Sequence, residues 1–110
     1  MDSYIQVITT TEDNEEAQRI ARAVVRKRLA ACVQTIGPVM STYWWEDNIV
    51  EEQEYICLIK SREDLYQQLE LAIREEHSYE TPEVIAFAVS AGSAGYLEWM
   101  NRELGQKGSS

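Results

Sequence analysis

The strongest constraint on this chain is the order of its hydrophobic periods. Within 110 residues a short β-branched run is followed by a helical period, two strand-period runs, a second helical period and another apolar run. Tyr4 to Ile8 reads as a strand. Asp13 then opens a helix, with Glu16 three residues on in the manner of a capping box, and Ala17, Ile20, Ala21, Val24 and Leu29 near one face. Arg26, Lys27 and Arg28 close it, where cations suit the negative end of the helix dipole. Cys32–Ile36 and Val39–Trp45 form a strand interrupted by Gly37-Pro38, expected at a bulge or sheet edge because proline cannot donate to a ladder.

After a polar turn at Glu46-Asp47-Asn48, Ile49 to Lys60 returns as the second arm of a long hairpin, with Tyr55, Cys57 and Ile59 on one side and Ile56 and Leu58 on the other. Ser61 is the expected N-cap of the second helix, with Asp64 placed three residues later and Leu65, Leu69, Ala72 and Ile73 as its buried stripe. His77 to Pro82 is a connector. Glu83 to Ser90 is a strand whose nearly continuous apolar run predicts a central position. Tyr96, Leu97, Met100 and Leu104 mark a short last helix.

The order β-α-β-β-α-β plus a helix is the split-βαβ, ferredoxin-like pattern of an α+β sandwich. Right-handed crossovers put both helices on one face of a four-stranded antiparallel sheet and leave the other open. Residues 1–105 are expected to form one domain, with 106–110 as a loose tail. Trp44 and Trp45 are consecutive in a strand, so they point to opposite sides. With Tyr43 and Tyr55 they load one hairpin with more aromatic surface than two helices can cover, which predicts an oligomer with these four residues at the interface.

The net charge of −9 works against a nucleic-acid partner and favours cations. No apolar run is long enough to span a membrane. The start, Met1-Asp2-Ser3-Tyr4, lacks a secretory signal's basic and apolar regions, and Cys32 and Cys57 form no Cys-x-x-Cys. A cytoplasmic setting with reduced thiols is expected.

Leu29-Ala30-Ala31-Cys32, Ser41-x-Tyr43-x-Trp45-Glu46, Leu58-Ile59-Lys60-Ser61 and His77-x-Tyr79-x-x-Pro82-Glu83 occur in register over about Tyr4 to Leu104. Together they resemble the CutA family of divalent-cation tolerance proteins. The resemblance implies a tight homotrimer with architecture similar to PII signalling proteins, a link to copper and other divalent cations, and no established enzymatic activity. It also implies that Lys60, Tyr79 and Glu83, together with Trp45, line clefts between subunits. Thr9 stands where some relatives carry cysteine, and Glu76-His77 where some carry a His-His pair.

Several chemistries are open to these residues. His77, the single histidine, can act as a hydrogen-bonding group at a helix end or as a ligand. Cys32 can be a small hydrophobe or a thiolate donor. A soft-metal site would combine Cys32, His77 and Glu83, suiting copper or zinc. A Cys32–His77 nucleophile–base pair lacks a third orienting group, so no catalytic residue is assigned. Lys60, Tyr79 and Glu83 could instead hold a small anion, as in a PII-like sensor, or form an interfacial salt bridge. A trimer that only scaffolds another protein is the third reading. Arg19, Arg22, Arg26, Lys27 and Arg28 are either a solvated helix face or charges that steer assembly. Glu46, Asp47, Glu51, Glu52 and Glu54 make the hairpin acidic and able to gather cations loosely, without the spacing of a calcium loop.

Overall fold

The computed structural model describes residues 3–106. The element order is β1 (Tyr4–Thr11), α1 (Asn14–Arg26), β2 (Cys32–Trp45), β3 (Asn48–Arg62), a 3₁₀ turn (Glu63–Leu65), α2 (Tyr66–Glu76), β4 (Val84–Ala88) and α3 (Ala94–Glu103). The four strands make one antiparallel sheet in the order β2-β3-β1-β4. This is the expected split-βαβ arrangement. Most of the expected tail, residues 107–110, lies outside the described residues.

The strand register sorts the side chains into two faces. Ile5, Val7 and Thr9 of β1 stand beside Ser61, Ile59 and Cys57 of β3. These are buried beneath Ala17, Ile20 and Val24 of α1 and Leu69, Ala72 and Ile73 of α2. The opposite face carries Ile36, Ile56, Leu58, Ile8, Ile85 and Phe87. No described helix covers it fully, and Ile36, Ile85 and Phe87 remain 48, 44 and 51% exposed.

Several local readings change. β4 is an edge strand, not a central one, because α2 returns the chain to the free side of β1. Its apolar run therefore feeds the covered face at Val84 and Ala86 and the open face at Ile85 and Phe87. Ser61 does not cap α2. It is buried in β3, and its hydroxyl donates to the Leu29 carbonyl at 2.6 Å, while the chain enters α2 through the 3₁₀ turn without a side-chain cap. The capping box of α1 is only half formed. Asp13 accepts from the Glu16 N–H at 2.8 Å, but the Glu16 carboxylate turns away to the connector after α2.

The far end of α1 closes as a Schellman motif. Arg28 has φ 60°, and the N–H groups of Arg28 and Leu29 donate to the Val25 and Val24 carbonyls. The hairpin turns through Glu46 and Asp47, both at positive φ, the geometry that matches strand twist in a two-residue loop. Asn48 joins β3 instead of the turn. The expected irregularity at Gly37-Pro38 is a register shift between Ile36 and Val39. Gly37 lies so close to the Tyr55 ring that any Cβ there would meet it. Tyr55 thus packs within its own chain, against the core.

One buried polar atom has no hydrogen-bond partner among the described residues, the Thr9 hydroxyl. An orphaned buried hydroxyl carries its desolvation cost uncompensated. Thr9→Val, nearly the same shape, is expected to raise stability by about 1 kcal/mol, read as a higher urea midpoint at unchanged slope.

Candidate functional site: an acidic, aromatic cleft

The connector between α2 and β4 is pinned at three successive residues. The His77 side chain is fully buried. Its Nε2 donates to the Thr10 carbonyl at 2.8 Å, and its Nδ1 accepts the Tyr79 N–H at 3.2 Å. Both ring nitrogens are therefore occupied by backbone groups in the neutral tautomer. Ser78 donates its N–H and its hydroxyl to the two Glu16 carboxylate oxygens. Tyr79 reaches across to β3, where its phenol donates to Glu54 at 2.8 Å. The His77 and Tyr79 rings lie 5.0 Å apart.

This pinning holds the connector away from the base of the hairpin and leaves a cleft of about 720 Å³. Its hairpin wall is formed by Ser41, Tyr43 and Trp45 of β2 with Val50, Glu52 and Glu54 of β3. Cross-strand pairing puts these side chains on one face, since Tyr43 opposes Val50 and Ser41 opposes Glu52. Thr10 forms the floor, and Tyr79, Glu80, Thr81 and Glu83 the other wall. No lysine or arginine among the described residues lines the cleft.

Four carboxylates without a cation make the cleft strongly negative. Tyr43 donates its phenol to Glu52 at 2.8 Å, and that bond is the main cause of its raised pKa. Burial, then the bond to Glu54 and nearby negative charge, holds the Tyr79 phenol protonated well beyond its ordinary range. Glu83 also titrates above the usual carboxylate value, first through desolvation and then through the Glu54 charge. Its folded state thus binds a proton more readily than the unfolded chain, so ionised Glu83 opposes folding. That cost is absent below the unfolded value near 4.5 and grows as pH rises through the folded one. Glu83→Gln is expected to raise stability slightly at pH 7, by under about 0.5 kcal/mol, with the difference vanishing near pH 4 in urea titrations.

The residues expected to share a metal site do not converge. Cys32 pairs with Lys60, which pairs with Gln6, whereas His77 binds the backbone of Thr10 four residues farther along β1. That separation is roughly 13 Å along the strand. The Cys32 thiol lies beside the Tyr96 phenol instead. Glu83 alone of the three lines the cleft. Among the described residues no three His, Cys, Asp or Glu side chains stand together as a chelating group.

Of the expected cleft residues, Trp45, Tyr79 and Glu83 come together, and Lys60 does not. Its Nζ donates to Gln34 at 2.6 Å on the open sheet face, away from the cleft. Cys57 is a packed core residue, and burial pushes its thiol up to about 11. In the basic group on α1, Arg19, Lys27 and Arg28 pair within the chain with Glu76, Glu75 and Glu103. These contacts are exposed and add little stability. Sequence reading placed Glu52 and Glu54 in an acidic hairpin and Glu16 in a helix cap without assigning any of them to this cleft or its connector, and it gave Glu80 no role. The even parity of 52 and 54 with Ile56 and Leu58 was the available signal that two hairpin carboxylates share the open face.

The model of the CutA1 divalent ion tolerance protein family matches residues 5–103. The chain belongs to that family. Curated CutA relatives include the divalent-cation tolerance protein CutA of Thermus thermophilus, 34% identical over 90% of this chain and 96% of its own length. The chloroplastic CutA 1 of rice is 36% identical over 87% of this chain, which spans only 54% of that protein's length. Among solved structures, rice CutA1 superposes with a TM-score of 0.92 at 33% identity, covering 96% of each chain. CutA1 of Thermus thermophilus gives 0.89 at 33% identity, over 96% of this chain and all of that one. A CutA of Archaeoglobus fulgidus is described as periplasmic, so CutA proteins are associated with more than one compartment. No described helix of this CutA chain is long and apolar enough to cross a membrane.

Proposed function

We propose that this CutA-family chain is a non-enzymatic homotrimer that binds divalent cations, copper among them, in the cleft beneath its hairpin. The observation that carries this reading is the cleft lining, four glutamates and, among the described residues, no lysine or arginine. Assembly is supported by the apolar surface of the hairpin, where Met40, Trp44, Trp45 and Ile49 are 62, 71, 58 and 63% exposed, far more than an isolated small domain of this kind normally leaves in water. Tyr43, Trp44 and Trp45 are the proposed contact residues, Tyr55 supporting them from inside the chain. Glu83 and Glu54 are the proposed cation contacts of each subunit, with a neighbouring copy completing the ligand set. Two free cysteines suit a reducing compartment such as the cytoplasm. Within one chain Lys60 bonds Gln34 instead of facing the cleft, and Cys32 lies apart from His77, which favours the cation reading over the small-anion and nucleophile–base alternatives.

Native mass spectrometry before and after a slight excess of copper tests the reading. A trimer carrying about one copper per chain is the expected result, with uptake reduced at least several-fold in Glu54→Gln/Glu83→Gln. A metal-free trimer would overturn the cation assignment, and a monomer would overturn the assembly.

A further inference from the structure

Within a single chain the cleft has two features that a metal ion alone would not use. Its carboxylates are spread around a volume of about 720 Å³ instead of converging on a point, and no three of them form a chelating group among the described residues. Three aromatic rings, Tyr43, Trp45 and Tyr79, line the same space. A divalent metal needs closely grouped donors at about 2–2.6 Å. An ammonium group needs none. It is attracted by separate carboxylates and by the negative face of an aromatic ring within about 6 Å. A cleft of this size also falls in the range that encloses small organic ligands, about 300–1,000 Å³.

From these features we infer that the cleft binds a linear organic diammonium or polyammonium ion, its charged ends held by Glu52, Glu80 and Glu83 and its methylene stem laid along Tyr43 and Trp45. The inference rests on the proposed function's assignment of this cleft to cations but requires no metal; Tyr43 and Trp45, also the proposed subunit contacts, would meet the stem on their cleft side. Tyr79 acts as a positioning residue: its bond to Glu54 fixes the distance between the two walls. The long stem accounts for the rings, which a bare ion would leave unused.

The test is calorimetric titration of the chelator-treated, full-length protein with spermidine, with 1,8-octanediol as the neutral analogue of similar length and magnesium chloride as the ionic control. Spermidine is expected to bind saturably at submillimolar concentration, on the order of one per chain, while the diol gives no heat and equimolar magnesium does not displace it. Glu80→Gln/Glu83→Gln is expected to weaken binding at least tenfold. Trp45→Leu should weaken it about three- to tenfold and Trp45→Phe much less, the aromatic replacement keeping the reading valid if the leucine variant loosens the assembly. Absence of saturable binding by a protein that takes up copper would overturn this inference and leave the metal reading standing. Equal binding by the glutamine double variant, or full displacement by magnesium, would reduce the effect to diffuse attraction by an acidic chain. Failure of both spermidine and copper would remove the cleft's assignment to cations altogether.

Discussion

Arg62→Ala is expected to lower stability by about 3 kcal/mol and to release α3 from the domain. Arg62 is only 2% exposed, yet it carries a charge. Its guanidinium forks onto both Asp64 oxygens and also donates to the Asn101 side chain at 3.0 Å and the Gly105 carbonyl at 2.7 Å. One side chain thereby ties the end of β3, the entry to α2 and both the last turn and the exit of α3. Removing it leaves a half-buried carbonyl and amide oxygen without their donor and a void at the base of the sheet. Asp64 is partly solvated, which keeps the loss at the lower end of the range for buried ion pairs. Arg62→Lys should recover only part, because an ammonium cannot fork to a carboxylate and still reach the two α3 acceptors. Urea midpoints measure the energy. Faster tryptic cleavage after Arg102 would report the loosened helix, and wild-type resistance at that bond in the alanine variant would refute the tether.

His77→Ala is expected to cost about 2–3 kcal/mol while leaving copper uptake per chain unchanged. The two halves of this result separate a structural histidine from a ligand. The ring links the Thr10 carbonyl to the Tyr79 N–H, so truncation orphans one half-buried acceptor and one donor and opens a void between β1 and the connector. With both nitrogens engaged, the ring has no lone pair to offer a metal unless the connector first detaches. Copper uptake that falls in proportion to the loss of His77, at a concentration where the variant is fully folded, would contradict this and restore the histidine as a ligand. Cys32→Ser should be close to neutral in both measurements, since the thiol is only partly buried and lies at the opposite end of β1 from the cleft.

Local rules reached the features of the fold that local chemistry decides. Strand and helix periods located the elements, Asp13 announced the start of α1, and Gly37-Pro38 announced the bulge. β4 escaped because an apolar run has the same appearance whether it is flanked by two strands or covered on one face and open on the other. Ser61 escaped because a hydroxyl near a helix start can equally well satisfy a distant carbonyl, here that of Leu29. The site divided along the same line. Trp45, Tyr79 and Glu83 were found as members of motifs. Glu54 belongs to no motif and Glu16 read only as a helix cap, and their partners lie 25 and 62 residues away, so only the folded register brings them to Tyr79 and Ser78. Cys32 and His77 looked joinable because both follow helices. The strand offset between them is a tertiary quantity that spacing along the chain does not encode.

Beyond Gly37 the sheet narrows to two strands, Val39–Trp45 against Asn48–Glu54, while the molecule extends 44 Å along its longest axis and only 26 and 23 Å along the others. A two-stranded ribbon with no third neighbour opens easily by itself. Its amides should therefore trade their protons for solvent deuterium quickly in an isolated subunit and slowly once another surface closes over them. The exchange rate of this ribbon, compared with that of β1 and the inner half of β3 in the same molecule, turns the hairpin into an internal clock for how much of the protein is assembled.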